Sequence, residues 1–406
     1  MTTKINSLFS KLPKETATIL EDFDLLLQSI KPLSSKQLSQ LPEKIRELSH
    51  ILTDERSRRR SGYLNETANI SAYMRYYQWW NLVRLTKLFL GLPSSGFNLQ
   101  NGNICVDVGS GPLTLPIALW LARPDLREKK LTWYCIDYSH TALALGEDIY
   151  LSIVARTAQT TTAQIEPWKI VRVRGELGVS LKARADLIVA ANVFNEIVEV
   201  SQKPPEYTAK KTIEILTQYA KKDAKILIIE PGTPPSVRFL TALKNALFKK
   251  NYQALAPCPA LMELAGNGDS AKVHCPMDGS RGNKWCHFVF STEDAPKKLL
   301  KLSHAAHLAK ERASLSFVFA IPQTESSHKK KDIQTNTIEL RIISDPISLP
   351  KGRIGYYACS KEGLSLAVSY SEKTTLKLYS GDLILTNTPK QVKIDYKSVA
   401  RLIPID

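Results

Sequence analysis

The spacing of hydrophobic residues first indicates a helical segment near the N-terminus. Between residues 14 and 92, apolar side chains recur at intervals of three and four, as on the buried face of an amphipathic helix. Pro93 and the Ser-Ser-Gly after it end this pattern, so we predict a helical region over residues 1–95. The five aromatic residues between positions 73 and 80 are predicted to pack against a neighbouring domain rather than to stack on bases.

A second pattern begins near residue 102, where short apolar runs alternate with helical segments. Five runs are predicted to be strands, and they contain ICVDV, WYCID, IVRVR, LIVAA and ILIIE. Continuous apolar strands that alternate with helices indicate a parallel sheet covered on both faces. Two further strands, in YQALAPCP and WCHFVFS, are predicted to form an antiparallel hairpin at the end of the sheet, and residues 297–316 are predicted to be helical.

This layout is similar to the Rossmann-like α/β fold of class I methyltransferases that use S-adenosylmethionine (SAM). We assign it to residues 96–320, with a cysteine-rich insertion at residues 256–288. After a polar linker, strand-like alternation returns at residue 337 in short runs divided by turn residues. We expect residues 336–406 to form a small β domain, a closed or partly open barrel of the oligonucleotide-binding type.

Composition places the chain among ordinary globular proteins. Its 406 residues are 43% hydrophobic and 23% charged, and no apolar run approaches the ~20 residues that span a bilayer. The N-terminal segment lacks the features of a secretory signal, and its acidic residues argue against a transit peptide. We therefore expect no membrane partner and a location in the cytoplasm, with the mitochondrial matrix as the alternative.

Basic residues are in excess, which suggests a polyanionic partner. The formal net charge is +16, and basic residues cluster at positions 56–60, 297–301 and 329–331. Attraction to phosphates is long-ranged and independent of sequence, so this excess favours nucleic acid as the partner. The alternative is a solvated basic surface without a ligand, because a run of charge alone often means no more than that.

A glycine-containing turn and several polar residues after the predicted strands suggest a site for an adenosine-bearing ligand. Asp107 precedes the turn, and Asp137 ends the second strand, where a carboxylate can accept both hydroxyls of a ribose. Thr114 replaces the third glycine of a dinucleotide motif, which argues against a diphosphate. We predict SAM contacts from Asp107, Gly109, Gly111, Asp137, Glu176 and Asn192. The alternative is a turn that only links a strand to a helix.

Candidate catalytic residues are few. Methyl transfer to an exocyclic amine commonly uses an Asn/Asp-Pro-Pro-aromatic turn after the fourth strand, and this chain has NVFNEI there. Asn195 and Glu196 in that segment could orient a substrate, although capping of a helix explains them equally well. Cys105 and Cys135 lie in predicted buried strands and lack the exposure that a nucleophilic thiolate needs.

Three cysteines in a loop rich in proline and glycine suggest a metal site. Cys258 ends one predicted strand, Cys286 begins the next, and Cys275 lies between them. Cys359 is the remaining cysteine outside the predicted core strands, and it could supply a fourth ligand from the C-terminal domain. Zinc and an iron-sulfur cluster both accept four thiolates, so the spacing leaves the metal open. His274 or His287 could replace one cysteine, and scattered reduced thiols are the alternative.

Several segments together resemble one family. These are DVGSGPLTLPIAL, NVFNEI, IEPGTPPSVRFL, APCP, HCPMDGSRGNKWCHF and YYACSKEGL, in that order over about residues 60–385. They are similar to methyltransferase-like proteins associated with the mitochondrial small ribosomal subunit and to the bacterial relatives of those proteins. The resemblance implies a four-iron four-sulfur cluster on the cysteines at 258, 275, 286 and 359, and binding to the small ribosomal subunit during assembly. Ala260 stands where relatives often have histidine, so this chain lacks one supporting contact that the resemblance implies.

The leading hypothesis is therefore a SAM-binding, cluster-containing protein that docks on the RNA of the small ribosomal subunit and assists its assembly. One alternative is an active ribosomal RNA methyltransferase whose cluster is only structural. The other is a zinc-stabilised methyltransferase that acts on a small molecule.

Overall fold

The structure is a computed structural model that describes residues 2–53, 63–159, 165–195, 203–258, 285–323, 336–370 and 377–405. Within these ranges, the strands form two sheets of eight strands each. Helices cover the first sheet, and the second is built mainly from C-terminal strands. In the described part of the chain, no helix combines the length and the hydropathy that crossing a bilayer requires.

Within the described ranges, the N-terminal region is helical from residue 14 onward. The predicted helical region over residues 1–95 was wrong at residues 3–7, which form a strand because they pair with the C-terminal sheet. The helices of this region are α1 (Lys14–Glu21), α2 (Phe23–Ile30), α3 (Ser35–Thr53), α4 (Thr67–Ala72) and α5 (Trp79–Gly91). A π-helical segment, Tyr73–Gln78, joins α4 to α5, and such segments are often found at functional sites. Tyr76, Trp79 and Trp80 are at most 5% exposed, so these predicted packing residues do bury their rings. Short 3-10 turns occupy Tyr63–Asn65 and Ser94–Phe97.

The first sheet contains the five predicted parallel strands. They are β2 (Ile104–Val108), β3 (Thr132–Asp137), β4 (Lys169–Arg174), β5 (Ala185–Ala191) and β6 (Ala220–Glu230). The helices of this domain are α6 (Thr114–Ala122), α7 (Pro124–Arg127), α8 (His140–Ala158), α9 (Pro205–Tyr219), α10 (Pro234–Phe248) and α11 (Lys297–Ala305). Two separate apolar clusters line the two faces of the sheet, as a parallel sheet covered on both sides requires.

The antiparallel end of this sheet differs from the predicted hairpin. Its strands are β7 (Tyr252–Ala256), β8 (Phe288–Ser291) and β9 (Arg312–Pro322), and the sheet order is β4-β3-β2-β5-β6-β9-β7, with β8 paired to β9. The prediction of a helix up to residue 316 was therefore wrong. The helix ends before His307, whose φ of 56° is left-handed. Residues 312–315 pair with β8 instead, and the rest of β9 pairs with β6 and β7.

The second sheet joins the two ends of the chain. Its strands are β10 (Thr337–Ile342), β11 (Ile347–Leu349), β12 (Arg353–Ser360), β13 (Gly363–Ser369), β14 (Asp382–Asn387), β15 (Lys393–Ile394) and β16 (Arg401–Pro404), together with β1 (Thr3–Ser7). The hydrogen-bonded order is β1-β14-β10-β12-β13-β16-β15, with β11 on β12. No pairing among the described strands joins β1 to β15, so the predicted barrel is not confirmed.

Candidate functional site

The turn between β2 and α6 is shaped by two glycines in the left-handed region. Gly109 has a φ of 66° and Gly111 a φ of 52°. A Cβ atom on Gly109 would lie 2.3 Å from Cγ2 of Val193, so this position also needs glycine for space. At Gly111 no atom lies within 4 Å of the equivalent position, and only the backbone angle restricts the residue. The turn therefore passes close to the loop after β5.

Asp107 presents a buried acceptor beside this turn. Its side chain is 1% exposed, and its Oδ2 accepts a hydrogen bond of 2.5 Å from the Ser110 hydroxyl. Its Oδ1 is buried and has no hydrogen-bond partner in the described part of the chain. Burial raises the pKa of Asp107 to about 8. A buried acceptor without a partner is costly, so this oxygen is suited to a donor that a ligand brings.

Asp137 ties the ends of two neighbouring strands together. Its Oδ2 accepts from the Gly111 N–H and its Oδ1 from the Ser139 N–H, each at 2.8 Å. Burial raises the pKa of Asp137, and hydrogen bonds from the backbone of Ser139, Gly111 and Tyr138 oppose that shift. Each carboxylate oxygen keeps a second lone pair, so the group can still accept a hydroxyl from a ligand.

Glu230 fixes the loop after β5 through hydrogen bonds to its backbone. This residue is fully buried at the end of β6, and its carboxylate accepts from the N–H groups of Val193, Phe194 and Asn195 at 2.9 to 3.2 Å. Asn192 begins the loop with a φ of 57°, a conformation that asparagine tolerates better than most residues. Glu230 thus fixes the backbone that follows the fourth parallel strand.

Arg84 connects the N-terminal helices to the same loop. Its Nη2 donates to Oδ1 of Asn81 at 2.8 Å and to Oδ1 of Asn192 at 2.9 Å, and its Nη1 donates to the carbonyl of Ser314. Burial lowers the pKa of Arg84 to about 10, and the charge of Glu230 opposes that shift. Because both amide oxygens accept from Arg84, the NH2 groups of Asn81 and Asn192 remain donors for a ligand.

A cavity opens where these loops meet. It lies at the carboxyl ends of β2 and β5, which is the point where the strand order reverses and where open α/β sheets bind ligands. The lining residues come from the N-terminal helices, the glycine turn, α6 and the loop after β5, and they are Tyr73, Asn81, Leu85, Asp107, Gly109, Ser110, Thr114, Leu115, Ala191 and Asn192.

The predicted SAM contacts are partly gathered at this cavity. Asp107, Gly109 and Asn192 line it, and Gly111 and Asp137 are hydrogen-bonded to each other beside it. Glu176 is exposed in the loop after β4 and does not line the cavity.

Of the two candidate catalytic residues, Asn195 and Glu196, the structure describes only Asn195. Asn195 donates its N–H to Glu230, and its buried Oδ1 has no partner in the described ranges. Glu196 lies outside the described residues. Arg84, Asn81 and Glu230 were missed, because their roles depend on contacts between segments far apart in the sequence.

The cysteines fall into two groups. Cys105 and Cys135 are fully buried in β2 and β3, and burial raises the pKa of both thiols, which confirms them as core residues. Cys258, Cys286 and Cys359 are half-buried. Cys258 follows β7 and Cys286 precedes β8, and both of these strands pair with β9.

Arg341 lies opposite Cys359 and within electrostatic range of Cys258 and Cys286. It is 4% exposed on β10, directly opposite Cys359 on β12. Its Nε donates to the carbonyl of Pro257 at 2.9 Å. Burial lowers the pKa of Arg341 to about 10, while the thiols of Cys258 and Cys286 and nearby carboxylates oppose that shift. A buried guanidinium thus lies near thiols from both halves of the protein.

The predicted metal centre is not confirmed. Within the described ranges, no three cysteine, histidine or acidic side chains converge closely enough to hold a metal ion. The prediction also depends on Cys275, which, like His274, lies outside those ranges. His287 stacks on Trp285, with ring centroids 5.0 Å apart, and its Nδ1 lies 3.1 Å from the carbonyl oxygen of Trp285.

Comparisons with solved structures return methyltransferases at low similarity. A putative RNA methyltransferase from Pyrococcus horikoshii is 12% identical, with 61% of this chain and 86% of that chain covered and a TM-score of 0.31. A SAM-dependent methyltransferase from Geobacter sulfurreducens, in complex with S-adenosyl-L-homocysteine, is 13% identical over 60% of this chain and 90% of that chain, with a TM-score of 0.32.

Comparisons at the level of sequence are more decisive. No curated protein gives a significant match. The model of one protein family, described as mitochondrial small ribosomal subunit Rsm22, matches residues 101–375. This match includes the glycine turn, the loop after β5 and all the cysteines of the chain. The chain belongs to the Rsm22 family of the mitochondrial small ribosomal subunit.

Proposed function

We propose that this protein binds SAM in the cavity between β2 and β5 and acts on the small ribosomal subunit, with ribosomal RNA as its partner. The observation that best supports SAM binding is the Oδ1 of Asp107, which is buried and has no hydrogen-bond partner in the described ranges. Family membership supports the ribosomal partner, and the net charge of +16 supports contact with RNA. The protein serves as an assembly factor on the subunit.

The donor groups around the cavity suit the two ends of SAM. Asp107 would accept from the α-amino group, and the NH2 groups of Asn81 and Asn192 would donate to the carboxylate. Asp137 keeps acceptor capacity for ribose hydroxyls. When bound, SAM would supply an activated methyl group. Asn195 is the candidate for orienting an acceptor, because its Oδ1 is buried and unpartnered within the described ranges.

Sedimentation tests the ribosomal partner. We expect the purified protein to migrate with immature small subunits and not with large subunits, because its family is described as one of the small subunit. Equal binding to both particles, or to neither, would contradict the proposal. Radioactive SAM added to the same mixture decides the enzymatic question. Label in the RNA shows an active methyltransferase, whereas binding without label shows an assembly role alone.

We also propose an iron-sulfur cluster ligated by Cys258, Cys275, Cys286 and Cys359. The support is the position of Arg341, which lies opposite Cys359, donates to the carbonyl of Pro257 next to Cys258, and has Cys258 and Cys286 among the groups that oppose the lowering of its pKa by burial. A guanidinium at this point favours thiolates over thiols and would offset the negative charge of a four-thiolate cluster. Such a cluster would hold the cysteine loop against the C-terminal sheet.

Iron analysis tests the cluster. We expect anaerobically purified protein to contain about four iron and four sulfide per chain, with absorbance near ~400 nm. Cys275→Ser should lose most of the iron, because a cluster of this type takes four cysteines. The control Cys105→Ala removes a core thiol and should keep its iron. Stoichiometric zinc without iron would support the zinc alternative, and folded protein without either metal would refute the site.

A further inference from the structure

The C-terminal sheet presents an exposed segment, residues 390–399, which we name the C-terminal tip. It contains β15 and the turn before β16. Four large hydrophobic side chains in this segment are exposed: Val392 at 49%, Ile394 at 52%, Tyr396 at 97% and Val399 at 76%. In a soluble domain, a cluster of exposed apolar residues often marks an interaction site.

Hydrogen bonds hold the turn of the tip in one conformation. The Asp395 N–H donates to the Ala400 carbonyl and the Val399 N–H donates to the Asp395 carbonyl, both at 2.8 Å. The Asp395 carboxylate accepts from both the N–H and the hydroxyl of Ser398. Ala400 is fully buried against the sheet, next to the exposed Val399. The tip is therefore built into the fold.

Val399 shows that this conformation has a cost. Its φ is 56°, and a β-branched residue in the left-handed region is strained. Strained residues persist only where surrounding contacts determine them, and they are concentrated at functional sites. The turn keeps Val399 and Tyr396 pointing into solvent despite this strain.

The ring of Tyr396 differs from the other exposed tyrosines of this sheet. Lys4 and Lys377 lie over the ring of Tyr379, and Arg353 lies over the ring of Tyr370. No cation or ring within the described ranges covers Tyr396, which is 97% exposed. Both faces of this ring are thus open to a flat partner.

The charge of the tip selects among possible partners. Lys390, Lys393 and Lys397 are all exposed, and the one acidic residue, Asp395, is engaged by Ser398. Lysine is depleted at the centres of protein–protein interfaces. An open aromatic ring between lysines is instead the arrangement that binds single-stranded RNA, in which bases stack and phosphates contact cations.

We infer that the C-terminal tip is a docking surface for single-stranded ribosomal RNA, with Tyr396 stacking on a base and the three lysines contacting phosphates. This inference rests on the proposed function, because it names where that RNA is bound. It does not depend on SAM or on a metal.

Fluorescence anisotropy with a labelled 20-nucleotide oligoadenylate tests the inference on the full chain. We expect Tyr396→Ala to weaken binding about tenfold, since one stacked base is lost. Tyr396→Phe keeps the ring and should bind like the wild type. Changing Lys393 and Lys397 to glutamine should lower the slope of log affinity against log salt by about 1.4, because two phosphate contacts are lost.

The matched control is Tyr207→Ala. Tyr207 is 51% exposed on α9, close in sequence to Lys210 and Lys211, and its loss should leave binding unchanged. If wild-type protein binds the RNA but Tyr396→Ala binds equally well, the tip is not the docking surface and the proposed function stands. If the wild type binds neither this RNA nor small subunits, both proposals fail. If Tyr396→Ala loses binding to small subunits but keeps its affinity for the RNA, the partner of the C-terminal tip is a ribosomal protein, and the inference is overturned.

Discussion

Replacing Asp107 with asparagine should weaken SAM binding by roughly 10- to 100-fold at pH 8. The estimate follows from the loss of one hydrogen bond to a charged group, which contributes about 1.5–3 kcal/mol. Asparagine has the same shape and can still accept from the Ser110 hydroxyl, so the turn should keep its conformation. What it lacks is the negative charge that a cationic amine would meet at the position of Oδ1.

The affinity should also depend on pH in a defined direction. Burial raises the pKa of Asp107 to about 8, so below that pH the free protein holds a neutral carboxyl group. A bound ammonium favours the ionised form, and binding must then release a proton. Affinity for SAM should therefore rise as the pH increases from 6 to 8, by at most about tenfold per pH unit. Isothermal titration calorimetry at pH 6, 7 and 8 measures this, and Asp107→Asn should show little of it.

Asp107→Asn should weaken SAM binding, but it should not lower the unfolding free energy. Because the pKa of Asp107 is raised in the folded state above its usual 3.8, the unfolding free energy of the wild type falls as the pH rises from about 4 to about 8. The neutral variant escapes this loss, so it should not be less stable than the wild type at pH 8. If Asp107→Asn binds SAM more weakly but does not have a lower unfolding free energy, the weaker binding comes from the loss of a ligand contact and not from misfolding.

A carboxylate at the other end of the same strands provides the control. Asp186 accepts from the Ile104 N–H and from Lys221, away from the cavity. Asp186→Asn should leave SAM affinity unchanged. Equal affinity of the wild type and Asp107→Asn throughout this pH range would refute the assignment of Asp107.

Arg341→Ala should lower the unfolding free energy by about 2–4 kcal/mol, because each buried acceptor that loses its donor costs about 1–3 kcal/mol. Arg341 donates to the Pro257 carbonyl at 2.9 Å, to the Gly381 carbonyl at 2.9 Å and to Oδ1 of Asn6 at 3.0 Å. These partners belong to the cysteine loop, the C-terminal sheet and the N-terminal strand. Alanine would remove this donor from two buried carbonyls and from the part-buried Asn6 amide, while the Gly381 carbonyl would keep the Leu8 N–H.

Urea denaturation measures this change in the unfolding free energy. Two further variants show how much of it comes from the charge and how much from the hydrogen bonds of Arg341. Arg341→Lys keeps a charge but cannot reproduce three hydrogen bonds in a planar fork, so it should recover only part of the loss. Arg353→Ala, on the same sheet, removes one hydrogen bond to Pro350 and a contact with Tyr370, and should cost less than about 1 kcal/mol. An Arg341→Ala protein as stable as Arg353→Ala would show that the junction is held by other contacts.

The regular elements of the central domain could be predicted because their signal is local. A strand buried on both faces needs a continuous apolar run, and β2, β3, β5 and β6 each contain one. The glycine turn is also local, since a left-handed φ at Gly109 and Gly111 restricts the residue type directly. The prediction failed at β9, because the apolar spacing of α11 continues into that strand and only its partners β6, β7 and β8 define it.

The chain's own residue pattern was enough to identify the parallel α/β layout and the acidic residues at the ends of β2 and β3, and its segments were enough to show the resemblance to the ribosomal family. Only the folded arrangement reveals that Arg84 reaches Asn192 across 108 residues, that Glu230 fixes the loop after β5, and that β1 completes the C-terminal sheet. The reason is physical. Periodicity and turn chemistry act between near neighbours, whereas a buried charge or a strand edge takes whichever distant partner compensates for its loss of water.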